Sequence, residues 1–161
     1  MILSSATSRL DLSELKETEL AATQLGVKVQ PVDVADPKGF QNGYVAMVRE
    51  HAGAVIILQG SFMSFHRQQL VELANKNRLP SMCEAVLFVT AGCLLSYGPD
   101  IPHLWSRAAI FVDKILKGAK PADLPVEQPS KFEFVVNLKT AKEISLTIPP
   151  NVLARTDKVI R

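Results

Sequence analysis

The run Ala54-Val55-Ile56-Ile57-Leu58 limits the possible folds more than any other segment. Its apolar residues follow one another without polar alternation, which predicts a central strand buried on both faces. Strands of that kind belong to parallel sheets covered by helices, because parallel neighbours need a crossover connection, usually helical.

The flanking sequence supplies such crossovers. Upstream, Asp11-Leu12-Ser13-Glu14 has the form of a capping box, Leu15, Ala22 and Leu25 recur at helical spacing, and Gly26 stands where a left-handed C-cap belongs. Val27, Val29, Val32 and Val34 follow as a β-branched run. Pro31 within it has no N–H to donate and places that strand at a sheet edge. Asp36-Pro37 pairs an N-cap with a proline at the first helical position, and Phe40, Tyr44, Met47 and Val48 form one stripe.

Downstream, Gln59-Gly60-Ser61 opens a helix with Phe62, Phe65, Leu70 and Leu73 on its apolar side. Leu79–Cys83 reads as a weaker strand, Val86–Thr90 as a short helix, and Cys93–Tyr97 as a strand closed by Gly98-Pro99-Asp100. The clearest helix presents Trp105, Ala108, Ala109, Val112, Ile115 and Leu116 on one face and stops at Gly118 and Pro121. Ala119–Ser130, with prolines and no apolar period, is an extended connector. Lys131–Leu138 alternates, with Phe132, Phe134, Val136 and Leu138 on one face, as a half-buried strand does. A short helix at Lys139–Ile144 and a helical turn after Ile148-Pro149-Pro150 end the chain.

This order predicts the α/β class: a parallel β-sheet flanked by helices, flavodoxin-like or Rossmann-like. Ligands on such sheets bind beyond the carboxyl ends of the strands. The loops Ser4–Thr7, Gln59–Phe62 and Cys83–Val86 are therefore where a site is expected. Within them Ser61 is expected to cap the Phe62 helix and offer its N–H groups to an anion. Phe62 is expected in the core or on a pocket wall, and Phe65 in the core. Glu84 either holds a ligand's ammonium group or is a plain solvated carboxylate. Tyr97 either hydrogen-bonds a ligand or marks a strand end.

Other chemistry is not indicated. The 161 residues carry a net charge of +2, too little to argue for nucleic acid. Neither a dinucleotide fingerprint, a P-loop nor a nucleophile elbow is present. Cys83 and Cys93 are too few for a disulfide framework and lack zinc-site spacing, so no metal or cofactor is expected. Cys83 ends a strand, where a nucleophile can sit, although a buried bystander is the commoner role. No apolar stretch approaches the ~20 residues of a membrane span, and Met1–Ser5 lacks the pattern of an export signal. Expressed as written, the chain is expected in the cytoplasm.

The segments Leu94–Asp100, Val112–Pro129, Lys131-Phe132-Glu133, Asn137–Ala141 and Thr147–Pro150 together resemble the C-terminal signature of ABC-transporter substrate-binding proteins with the type I periplasmic-binding fold. Leu15–Glu19, Leu25-Gly26-Val27 and Leu73-Ala74 through Leu79-Pro80 are similar to that family in the same order. The resemblance implies a non-enzymatic cleft protein, periplasmic or lipid-anchored, that catches a small solute such as an amino acid and delivers it to an ABC permease. It covers only the family's C-terminal lobe. Residues 1–92 would be that α/β lobe with a shortened first strand, 93–118 a crossover strand and helix that packs on the N-terminal lobe, and 119–161 the return segment. Ser61, Phe62, Glu84 and Tyr97 are the candidate ligand contacts. Met82-Cys83-Glu84 departs from the family's usual strand ending. The crossover helix, lacking its usual partner, predicts a homodimer or an exchanged segment. Two readings from other classes compete. One is a racemase-like enzyme domain, which needs two thiols on opposite sides of a substrate. The other is a stand-alone dimeric interaction module.

Overall fold

The computed structural model describes residues 1–4, 9–58 and 60–161, with side chains at 3–12 excepted. Its elements run β1 (Ile2–Ser4), α1 (Arg9–Gln24), β2 (Pro31–Asp33), α2 (Gly39–Arg49), β3 (Val55–Ile57), α3 (Ser61–Phe65), α4 (Arg67–Lys76), β4 (Ser81–Cys83), α5 (Val86–Thr90), β5 (Leu95–Pro99) and α6 (Ile101–Leu116). After a 3-10 turn follow β6 (Phe132–Asn137), α7 (Leu138–Glu143), α8 (Pro150–Leu153) and β7 (Lys158–Ile160).

The strands form one sheet in the order β2-β1-β3-β4-β5-β6-β7. The first five are parallel, β6 runs antiparallel to β5, and β7 runs parallel to β6. The apolar run at residues 54–58 does lie inside the sheet: β3 pairs with β1 and β4, and Val55 and Ile57 are fully buried. Pro31 begins the edge strand β2, where its missing donor costs no ladder bond.

One face of the sheet carries the main core. Phe40, Tyr44 and Met47 of α2, Leu70, Val71 and Ala74 of α4, and Phe88 and Val89 of α5 pack over Val55, Ile57 and Cys83. A smaller cluster, Leu94, Ala141 and Ile144 with Leu95 and Ile148, lies apart from it.

Several local expectations change. Helix α1 starts at Arg9, so the tetrad at Asp11 lies inside the helix and does not cap it. Gly26 does take the left-handed conformation (φ 67°), and Val27 N–H donates back to the Ala22 carbonyl. Asp36 accepts from the N–H groups of Lys38 and Gly39, placing the start of α2 slightly later than Pro37. Val48, expected in the buried stripe, is 45% exposed at the last turn of α2.

The expected helix at 61–76 breaks at His66, whose backbone (φ −96°, ψ 12°) separates α3 from α4. Strand β6 is not half-buried throughout: Val135, Val136 and Asn137 are all buried. The reason is that β5 and β7 flank it, and Asn137 donates from its side chain to the Val89 carbonyl of α5. Strand β7 was not expected, because three residues are too few to show a period.

Candidate functional site

Strands β2 and β3 flank β1, so the strand order reverses there. A ligand crevice on this sheet is expected outside the carboxyl ends of β1 and β3. The loop at 5–7 and Gln59, both part of the expected site, lie outside the described residues. What is described around the crevice comes from Gly60 to His66, from Glu84 to Val86, and from β5.

Gly60, not Ser61, is the N-cap of α3, and no side chain caps that helix. Ser61 is its exposed first residue. With five residues, α3 aligns few peptide dipoles, so the anion-attracting field expected at Ser61 is weak. Phe62 is half-buried, its ring 5.6 Å from Phe40 and 4.9 Å from His66. Phe65 is 80% exposed and meets only the edge of His66 at 5.0 Å, which corrects its expected place in the core. The cause is register: Met63 is the buried residue of α3, and two positions on a helix lie nearly opposite each other.

Cys83 and Cys93 are joined in a disulfide, which their number and spacing do not suggest, and both are fully buried. The bond closes a ten-residue separation containing α5, so that helix is tied to the end of β4 and the start of β5. Oxidised, Cys83 presents no thiolate, which removes the nucleophile it would need for catalysis.

Glu84 follows directly. It is half-buried and not a free carboxylate. Its carbonyl oxygen sits against Gly98 so closely that a β-carbon on Gly98 would overlap it. This approach brings β5 over the Glu84 turn and places Tyr97 beside it. Tyr97 stacks on Phe132 (5.7 Å, 19°) and meets Phe134, its cross-strand partner, edge-on (6.4 Å, 77°).

The four candidates therefore gather at one end of the sheet but in two groups. Phe62 joins Phe40 and His66 on the face that carries α2 and α4. Tyr97 shares the opposite face with Leu95, which pairs with Met82. Beside Tyr97 opens a cavity of about 620 Å³ whose walls include Met82, Phe134 and Val152. Sequence reasoning missed His66, Phe132 and Phe134 as site neighbours, since aromatic alternation in a strand reads equally well as core. Among the described residues no group of three or more His, Cys, Asp or Glu is arranged to hold a metal ion.

Beyond β5 the chain leaves the sheet as an arm and returns at β6. Asp100 caps α6, accepting from the His103 N–H (3.0 Å), and pairs with Lys131 Nζ (2.8 Å). Lys131, and then the His103 N–H, hold the Asp100 carboxyl below its usual value, and Asp100 raises Lys131 in turn. Farther out, the Arg107 guanidinium grips both carboxylate oxygens of Glu127, fastening the connector along α6. No residue of α6 is buried; Trp105 is 73% and Val112 54% exposed. Among the described residues no helix is long and apolar enough to cross a membrane.

The sequence profile of the family described as ABC transporter substrate binding protein matches residues 1–160. No curated protein matches significantly. Several solved structures share the fold, three of them as follows. A conserved domain protein from Vibrio cholerae aligns over 98% of this chain and 53% of its own, with 23% identity and a TM-score of 0.88. An ABC domain from Streptococcus pneumoniae in complex with L-Trp aligns over 99% and 54%, with 26% identity and a TM-score of 0.88. The ligand-free, open form of a substrate binding protein with adhesive properties from Clostridium difficile aligns over 99% and 53%, with 16% identity and a TM-score of 0.75. The chain thus spans about half the length of each of these three structures.

Proposed function

The chain belongs to the ABC transporter substrate-binding protein family, and from that premise we propose that it is the C-terminal lobe of a two-lobed receptor. The receptor holds a small solute such as an amino acid and passes it to an ABC permease. The observation that carries the reading is the match of nearly the whole chain to about half of a structure that binds L-Trp. In this reading Ser61, Phe62, Glu84 and Tyr97 line this lobe's side of the cleft. Residues 1–92 form the lobe, 93–118 cross toward the companion lobe, and 119–161 return. The role is binding and not catalysis; the buried disulfide, which leaves neither cysteine as a thiol, speaks against the racemase-like alternative. A structural disulfide also favours an oxidising, extracytoplasmic compartment, where proteins of this family typically work.

The exposed face of α6 supports a second part of the reading. A companion lobe covers it in the whole receptor, and in this chain alone a second copy does, giving a homodimer. Titration of the chain with single amino acids, followed by amide and side-chain NMR shifts, tests the solute site. Weak, saturable binding, on the order of millimolar because half the enclosing surface is used, is expected to shift residues 60–66, Glu84 and Tyr97. Absence of any response across the twenty amino acids would overturn it. Sedimentation equilibrium tests the dimer, and a monomer at about 100 μM, well above the dissociation constants of most specific interfaces, would sink that part.

A further inference from the structure

The end of the sheet away from the crevice gathers positive charge. Strands β1 to β5 are parallel, so the turns that precede β2 to β5 lie at one end. Strands β6 and β7 run the other way and finish there, where the Asn137 N–H donates to the Leu94 carbonyl. Five exposed cations stand at this end: Lys28 before β2, Lys76 ending α4, Arg78 before β4, Lys139 after β6 and Arg161 after β7. None of their side chains makes an ion pair or hydrogen bond among the described residues. Against them stand Glu72 and Glu143, since Glu50 is paired with Arg49. Arg78 holds the left-handed conformation (φ 52°) just beyond α4, where glycine is favoured, so the backbone carries strain where this guanidinium is presented. Lys76, Lys139 and Arg161 line one cavity of about 540 Å³, which brings cations of three segments together. Apolar groups share this end: Leu25 and Val27, on either side of the left-handed Gly26, are 77% and 58% exposed.

We propose that this end of the molecule is a docking surface for an anionic phospholipid bilayer, the five cations resting among lipid phosphates and Leu25 and Val27 entering the headgroup layer. The inference goes beyond the solute-receptor reading and uses none of its residues. Charge complementarity selects an anionic surface, and unpaired lysines and arginines are the groups that phosphates take. Extent selects a bilayer over a small anion. Lys28 lies at the β2 edge and Arg161 at the β7 edge of a seven-stranded sheet. Six strand spacings of about 4.8 Å separate them, roughly 29 Å in all, and an extended surface is needed to touch both. Apolar side chains set among cations favour lipid over a purely ionic polymer, because they gain by leaving water for the headgroup boundary.

The test is co-sedimentation of the full chain with vesicles of phosphatidylglycerol and phosphatidylcholine in equal parts, set against vesicles of phosphatidylcholine alone. Binding is expected to the anionic vesicles only, and should weaken about tenfold between about 50 mM and about 300 mM NaCl. Lys76→Glu combined with Lys139→Glu should weaken it about twentyfold or more, at about fivefold for each position. Lys38→Glu combined with Lys120→Glu changes the net charge equally but away from this end, and should weaken it by no more than about twofold. Leu25→Asn, which keeps every charge, should weaken it about threefold. All five positions are exposed, so folded variants are expected, and their urea midpoints check this.

No binding to anionic vesicles at about 1 mM lipid overturns the proposal, as does equal binding to phosphatidylcholine alone. Equal weakening by the two double variants reduces the attraction to net charge and overturns it too. Heparin bound as tightly as the vesicles, with Leu25→Asn without effect, would assign this end to a soluble polyanion and so also overturn the bilayer.

Discussion

Gly98 and Asp100 show how much single residues carry at the root of the arm. Gly98 is a steric requirement: a β-carbon there overlaps the Glu84 carbonyl, and both partners are backbone. Gly98→Ala should cost about 3 kcal/mol in denaturant unfolding, whereas Gly53→Ala, with open space around it, should stay within about 0.5 kcal/mol. Asp100 links stability to pH. Its folded pKa lies below the unfolded value, so its contribution is complete above about pH 4 and is lost as pH falls through the folded value. Lys131, raised by the same pair, contributes fully below its unfolded value of about 10.4 and loses that contribution as pH rises through the folded one. Asp100→Asn should flatten the acid limb of stability against pH, measured by thermal melts between about pH 2 and pH 6; an unchanged limb would refute the assignment. Neither role was legible in the sequence, because the Gly98–Glu84 and Asp100–Lys131 contacts join residues far apart in the chain. Gly26 was legible, since its cap depends only on the helix before it.

At the level of elements, the disulfide and the Arg107–Glu127 pair fasten very different things. The disulfide ties α5 to two core strands, and its reduction should lower stability by about 2.5 kcal/mol through the freed loop. Urea unfolding with and without reductant measures this, and equal midpoints would show the thiols unpaired. The Arg107–Glu127 pair is more than a third exposed on both sides, so Arg107→Ala should change global stability by less than about 1 kcal/mol. It should instead free the connector, seen as faster protease cleavage within 119–130. Periodicity located α2, α6 and β3 because each buries or displays one consistent face. It failed at α3–α4, where an aromatic cluster around His66 breaks a helix whose apolar spacing runs on. It also misread β6, whose burial is decided by neighbours that the alternation of Phe132, Phe134 and Val136 does not reveal.

For the whole molecule, the sequence carried the five parallel strands and their helices but not the antiparallel turn of β6 or the β7 edge, and the position of the candidate loops followed from topology. The division of Phe62 and Tyr97 between opposite faces did not, because it depends on the register of β5 against β4. The arm's uncovered face makes a prediction at this scale. Val112→Asp should leave the unfolding midpoint within about 0.5 kcal/mol of stability, since Val112 touches no core, while abolishing any dimer in sedimentation; a dimer that persists would place the contact elsewhere. The way the arm joins the sheet has one more consequence. Pro99 and Phe132 are cross-strand partners, and the Asp100 N–H donates to the Lys131 carbonyl at 3.0 Å, so departure and return points are neighbours. Residues 101–130 are thus a cassette spliced into a hairpin. A tight turn of about two residues can replace them without moving a strand, and a reporter domain with adjoining ends can be grafted at the same junction.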